Sequence, residues 1–279
     1  MHRHRTFDLV LHDDEELSAL LGCCSTDRRT LHEWPLSCVQ RVTTPDATRM
    51  IYKAQAAPTI EPEFYAAARS PLLPRVRTVY RTERHACLLI EFIDGPRLAD
   101  LRLPAAEIVR IGRILVEAIA HIAGKPPTVL DVGSPEAWTA VAESMLGALR
   151  GLVDAGRFIA VDVGLLRAIE RAAASQSVLD AVSAPASLIH SDLGGDNVFV
   201  LGESYRVIDW QYPKRGPADL DLAILLESVG IDPRDSVDAG IVRLMGLLRI
   251  LWLTECATRW FPPGVESYDR QIAQLATQL

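Results

Sequence analysis

His190, Asp192 and Asn197 lie in one polar loop, Leu188-Ile-His-Ser-Asp-Leu-Gly-Gly-Asp-Asn-Val-Phe-Val200, flanked by apolar runs. Twelve residues after Asn197, a second apolar run ends in Asp209-Trp210. Phosphoryl transfer needs a carboxylate to accept the proton of an attacking hydroxyl, and oxygen ligands to hold magnesium on a triphosphate. Asp192 fits the first task and Asn197 with Asp209 the second, since Mg²⁺ takes a few hard oxygen ligands and keeps water and phosphate for the rest. Composition sharpens the choice. Asn197 is the only asparagine, and only three of the 29 basic residues are lysine, at Lys53, Lys125 and Lys214. A chain built on Arg and Asp has reason to keep an uncharged oxygen ligand or a compact ammonium where chemistry demands one.

The pattern H-x-D-x-x-x-x-N followed by Ile208-Asp-Trp210 resembles the catalytic loop and metal-binding signature of the aminoglycoside phosphotransferase and choline kinase family, relatives of the protein kinases. Gly216-Pro-Ala-Asp-Leu-Asp-Leu-Ala223 is similar to that family's stretch ending in D-L-A. The resemblance implies an α+β, bilobal protein kinase-like fold. Its N-lobe is a small antiparallel β-sheet with one helix, and its C-lobe is larger and mainly helical. It further implies ATP or GTP as donor, Mg²⁺ as metal, and a small hydroxyl compound as acceptor. His190 then braces the loop around the base Asp192. Lys53, in Met50-Ile-Tyr-Lys-Ala54, becomes the phosphate-binding strand lysine. Glu61, in Glu61-Pro-Glu-Phe-Tyr65, becomes its helix partner, with Glu63 as the alternative. Cys87-Leu-Leu-Ile-Glu-Phe-Ile93 is similar to the strand and hinge whose backbone meets the purine, through Glu91 and Ile93. Two departures stand out. No glycine occurs between Gly22 and Gly95, so the phosphate turn would fall near Thr43-Thr-Pro-Asp46, and Ser191 stands where the family often has glycine.

Positioning these residues takes two kinds of segment. Leu36–Val42, Met50–Ala54, Val76–Tyr80 and Cys87–Ile93 read as strands, with a helix at about 60–69 between them. Asp94-Gly-Pro96 is a turn, after which apolar residues recur at helical spacing. Gly124 with Pro126-Pro127 ends the first of these helices; others begin at Ser134-Pro135 and near Val163. The expected division is a nucleotide-binding lobe, 1–93, and a catalytic and substrate-binding lobe, 94–279. Trp138, Trp252 and Trp260 lie at helical spacing and read as core.

The net charge of −7 argues against nucleic acid as a partner. The most apolar run, 241–256, is interrupted by Arg243 and Arg249, which argues against a membrane span. Five cysteines without metal-ligand spacing read as reduced, packed thiols of a cytoplasmic protein. Glu227, Asp232, Asp235 and Glu255 leave room for a cationic acceptor, while an aminoglycoside, choline, an amino-alcohol or a sugar all stay open. The alternative reading, motivated by the glycine-free first lobe, is a nucleotide-binding pseudokinase that acts by binding a partner.

Overall fold

The computed structural model describes residues 1–24 and 26–279. It separates into two compact units: residues 1–98, 123–127 and 196–212, and residues 99–122, 128–195 and 213–279.

The first unit is built on a five-stranded antiparallel sheet of β1 (Asp27–Trp34), β2 (Ser37–Thr43), β3 (Arg49–Ala56), β4 (Val76–Arg81) and β5 (His85–Glu91), in the order β1-β2-β3-β5-β4. Lys53 sits on the central strand, opposite Val39 on one side and Leu88 on the other. Helix α1 (Asp14–Leu21) is capped by a reciprocal Asp13–Glu16 capping box. It buries Leu17 against Leu9, Leu11, Val42, Tyr52 and Leu89. Strand β1 was not expected from the sequence. Nearly all its side chains are exposed and charged or polar, as suits an edge strand, so it lacks the apolar alternation that marks an inner one. Consequently the first hairpin closes at Pro35-Leu36, and the Thr43–Asp46 turn joins the second and third strands instead. Asp46 takes hydrogen bonds from Thr44 and Thr48, which occupies that turn's polar groups internally.

Helix α2 (Glu61–Ala67) is shorter than expected. Ala68 and Arg69 leave it to pair with Gly124 and Ala123. Gly124 holds φ +99°, and a Cβ there would lie 2.1 Å from the carbonyl oxygen of Ala67. It is therefore a close-approach glycine of the first unit as well as the end of a helical run.

The second unit is mostly helical: α3 (Ala105–Ala120), α4 (Pro135–Asp154), α5 (Val163–Ala173), α6 (Gln176–Val182), α7 (Asp219–Ser228), α8 (Ala239–Glu255) and α9 (Val265–Ala276). They bury Trp138, Met145, Leu149, Ile169, Leu222, Leu244 and Ile272 in one core. Trp138 is fully buried there, as expected, whereas Trp252 and Trp260 are only partly so. A three-stranded sheet adds Leu130–Asp131, Lys214–Pro217 and Ala186–Ile189, with Lys214–Pro217 in the middle. No helix among the described residues is long and apolar enough to cross a membrane.

Candidate active site

In the first unit, the Lys53 ammonium lies 2.7 Å from Glu61 Oε2 and 2.7 Å from Asp209 Oδ1. Lys53 is 4% exposed and Glu61 not at all. Burial alone would push the ammonium's pKa down, but the Asp209 and Glu61 carboxylates outweigh it and hold the lysine charged. Burial also pushes the Glu61 carboxyl up, against the pull of Lys53. The buried Tyr65 hydroxyl is raised well above the usual range by desolvation and then by Glu61 and Asp209, so it stays a neutral neighbour. Glu63 is elsewhere, paired with Arg81.

Asp209 reaches Lys53 from a hairpin, Val198–Leu201 paired with Ser204–Val207. Beyond the last pair, Ile208 donates its N–H to the Asn197 carbonyl at 3.0 Å, so Asn197 and Asp209 flank the same end of the hairpin. Asp209 adopts φ +69°, a left-handed conformation that aspartate tolerates better than most residues. Its Oδ1 also accepts from Gln211 Nε2 at 2.6 Å. Trp210 is fully buried. It stacks on Phe64 of α2 with centroids 4.4 Å apart and donates its indole N–H to Val207 O. That stack ties the helix carrying Glu61 to the segment carrying Asp209.

Strand β5 ends at Glu91, whose N–H donates to Arg75 O at 2.8 Å. A purine contact from Glu91 would therefore use its carbonyl oxygen. Ile93 follows as a buried residue.

In the second unit, the loop around Asp192 is held from several directions. Asp221, 1% exposed at the start of α7, accepts the N–H groups of His190 and Ser191, each at 2.7 Å. Buried His190 accepts the Asp192 N–H at Nδ1, 3.3 Å away. Leu193 is fully buried, and Gly195 donates to Ser228 Oγ at 2.9 Å. A Cβ at Gly195 would fall 2.7 Å from Val229 Cγ1. The Asp192 side chain, by contrast, is exposed. Burial pushes the Asp221 carboxyl up to about 7, although the two backbone donors and Lys214 favour its ionised form.

Sequence reasoning gave no role to Gln211, Tyr65 or Lys214. Lys214 had one signal, its rarity, while Gln211 and Tyr65 had none. The fold also gathers His4, Glu33 and Cys38, whose ligand atoms lie within 4.8 Å of one another. His4 Nδ1 accepts the N–H groups of Thr6 and Phe7, which places its proton on Nε2, toward Glu33. That nitrogen offers a metal no lone pair. None of the five cysteines forms a disulfide.

The sequence pattern of the phosphotransferase enzyme family matches residues 42–253, and the chain belongs to that family. No curated protein matches the sequence significantly. Solved structures share the fold. A choline/ethanolamine kinase family protein from Mesorhizobium loti is 15% identical with a TM-score of 0.66, covering 94% of this chain and 91% of that one. A macrolide 2'-phosphotransferase from Brachybacterium faecium is 18% identical with a TM-score of 0.56, covering 93% and 95%. A spectinomycin phosphotransferase, solved with ADP and spectinomycin, is 13% identical with a TM-score of 0.54, covering 96% and 98%. The chain is thus a phosphotransferase with the protein kinase-like fold that its catalytic-loop signature implied.

Proposed function

We propose that the protein transfers the γ-phosphoryl group of ATP or GTP to a hydroxyl of a small metabolite or antibiotic. The observation that carries this reading is the Lys53 ammonium held between buried Glu61 and Asp209 in a chain of this family. In this reading residues 1–93 form the nucleotide-binding lobe, with Lys53 on the phosphates and Glu91 and Ile93 along the purine. Residues 94–279 form the catalytic and substrate-binding lobe. Asp192 accepts the acceptor's proton as its oxygen bonds to the γ-phosphorus, while the bond from that phosphorus to the β-phosphate oxygen breaks and the nucleoside diphosphate leaves. His190 holds the loop in place.

Asn197 and Asp209 suit Mg²⁺: one carboxamide and one carboxylate, both hard oxygen donors, flank one hairpin end. When bound, the ion supplies neutralisation of charge on the phosphoryl oxygens. The acceptor's chemistry is less constrained. Glu227 and Asp232 are paired with Arg249 and Arg234, which commits two of the acidic residues that a cationic acceptor could use.

Thermal shift with Mg²⁺-ATP and Mg²⁺-GTP, alone and across aminoglycosides, macrolides, choline, ethanolamine and sugars, tests the reading. A ligand that binds the native state raises the melting temperature. Nucleotide stabilisation, with ADP or GDP release on adding one acceptor class, is the expected result. Nucleotide stabilisation without turnover on any acceptor would favour the nucleotide-binding pseudokinase, and absence of any nucleotide response would overturn both readings.

A further inference from the structure

Lys214 opens the middle strand of the second unit's sheet, directly opposite Ile189, the residue before the His190-Ser191-Asp192 loop. Its ammonium donates to Ser191 Oγ at 2.7 Å. Ser191 adopts φ +65°, a left-handed backbone that a serine enters only at some cost. The Asp221 carboxylate fixes the same residue through its N–H. Ser191 is therefore held by the Asp221 carboxyl group on its backbone and a cation on its side chain, immediately before Asp192. The charges facing Lys214 are those of Asp192, of Asp221 on α7 and of Glu255 on α8. On its other flank, the strand Leu130–Asp131 contributes Asp131, which pairs with Arg215.

We propose that Lys214 is a positioning residue for Asp192: through Ser191 it fixes the turn that presents the carboxylate to the acceptor hydroxyl, with its own charge facing that carboxylate. The proposal rests on Asp192 being the base. Lysine suits the place because a compact ammonium meets a single hydroxyl, whereas a guanidinium presents a wide fork. Burial pushes the Lys214 pKa down to about 8, against the pull of the three carboxylates. The device would then be charged at neutral pH and fade as the solution turns alkaline.

With only three lysines in the chain, ¹⁵N-lysine NMR can follow each side-chain nitrogen separately. The Lys214 signal, assigned by its loss in Lys214→Met, is expected to titrate near 8, and in Asp192→Asn its midpoint should fall by about half a pH unit or more. An unchanged midpoint overturns the coupling. In parallel, ADP release from Mg²⁺-ATP with water as acceptor is measured against pH. Lys214→Met should lower kcat about 10- to 100-fold with KM for ATP within about twofold, and should remove the alkaline limb of the profile. Lys214→Arg should restore part of the rate and carry that limb upward. Turnover of Lys214→Met equal to wild type overturns the proposal alone. A wild-type chain that turns over no nucleotide removes the proposal together with the reading of Asp192.

Discussion

Glu63 gives its carboxylate to Arg81, Oε1 to Nη2 at 2.6 Å, while Glu61 on the same short helix faces Lys53. The two glutamates share a sequence neighbourhood but not an environment. Glu61 is fully buried, and the Glu63–Arg81 pair is 43% and 35% exposed at its two side chains.

Glu61→Gln should therefore cost about 1–3 kcal/mol, since a buried charged hydrogen bond is lost while Asp209 stays on the Lys53 ammonium. Glu63→Gln should cost less than about 1 kcal/mol, as expected of an exposed pair. Urea denaturation of the two variants measures both, and equal losses would show that the helix turns differently from the arrangement described.

How much of this was readable beforehand depended on what each residue faces. Lys53, Asn197 and Asp209 stood out because their types are scarce or their spacing is specific. Glu61 is preferred to Glu63 only through the family resemblance, and its pairing with Lys53 follows that preference. Residue types on so short a helix do not set its phase, and Arg81, which takes Glu63, shows itself only in the fold. The strands Asp27–Trp34 and Lys214–Pro217 were invisible for a related reason. One shows its side chains to solvent, and the other is four residues with a glycine and a proline, held as a strand by neighbours on both sides. The fold class, by contrast, was legible because the periodicity change near Gly95 separates strands from helices.

Asp192 is exposed, so removing its charge should leave the fold intact. Asp192→Asn is expected to melt within about a degree of wild type while turnover falls about 10²- to 10⁴-fold, the range for loss of a general base. A calorimetric scan and an ADP-release assay on the same sample separate the two effects.

Asp221 should leave a signature in stability against pH. Its folded pKa is about 7, above the ordinary 3.8. A raised folded value contributes stability that is complete below the ordinary pKa and lost as pH rises through the folded one. The stability advantage of wild type over Asp221→Asn should thus shrink steadily between about pH 4 and 7. Urea midpoints of both proteins across that range check the sign; a constant gap would contradict it.

The Phe64–Trp210 stack invites graded substitution. Trp210→Phe keeps a ring on Phe64 but loses the indole bond to Val207, which should cost about 1 kcal/mol plus some packing. Trp210→Ala should cost about 3–5 kcal/mol. It should also raise KM for Mg²⁺-ATP, because the helix bearing Glu61 loses its tie to the Asp209 segment. Parallel losses in stability without a change in KM would detach the stack from nucleotide binding.

The first compact unit is assembled from pieces far apart in the chain, and Lys53 meets Asp209 across a separation of 156 residues. On a ribosome adding about 5–20 residues per second, the lysine waits roughly 8–30 s for that carboxylate to be made. Glu61 is at hand almost at once. During that interval the five-stranded sheet can form, but its lysine has one carboxylate of the two and Phe64 lacks the Trp210 ring that stacks on it. The order of synthesis thus lays the sheet down first and finishes its charged centre last.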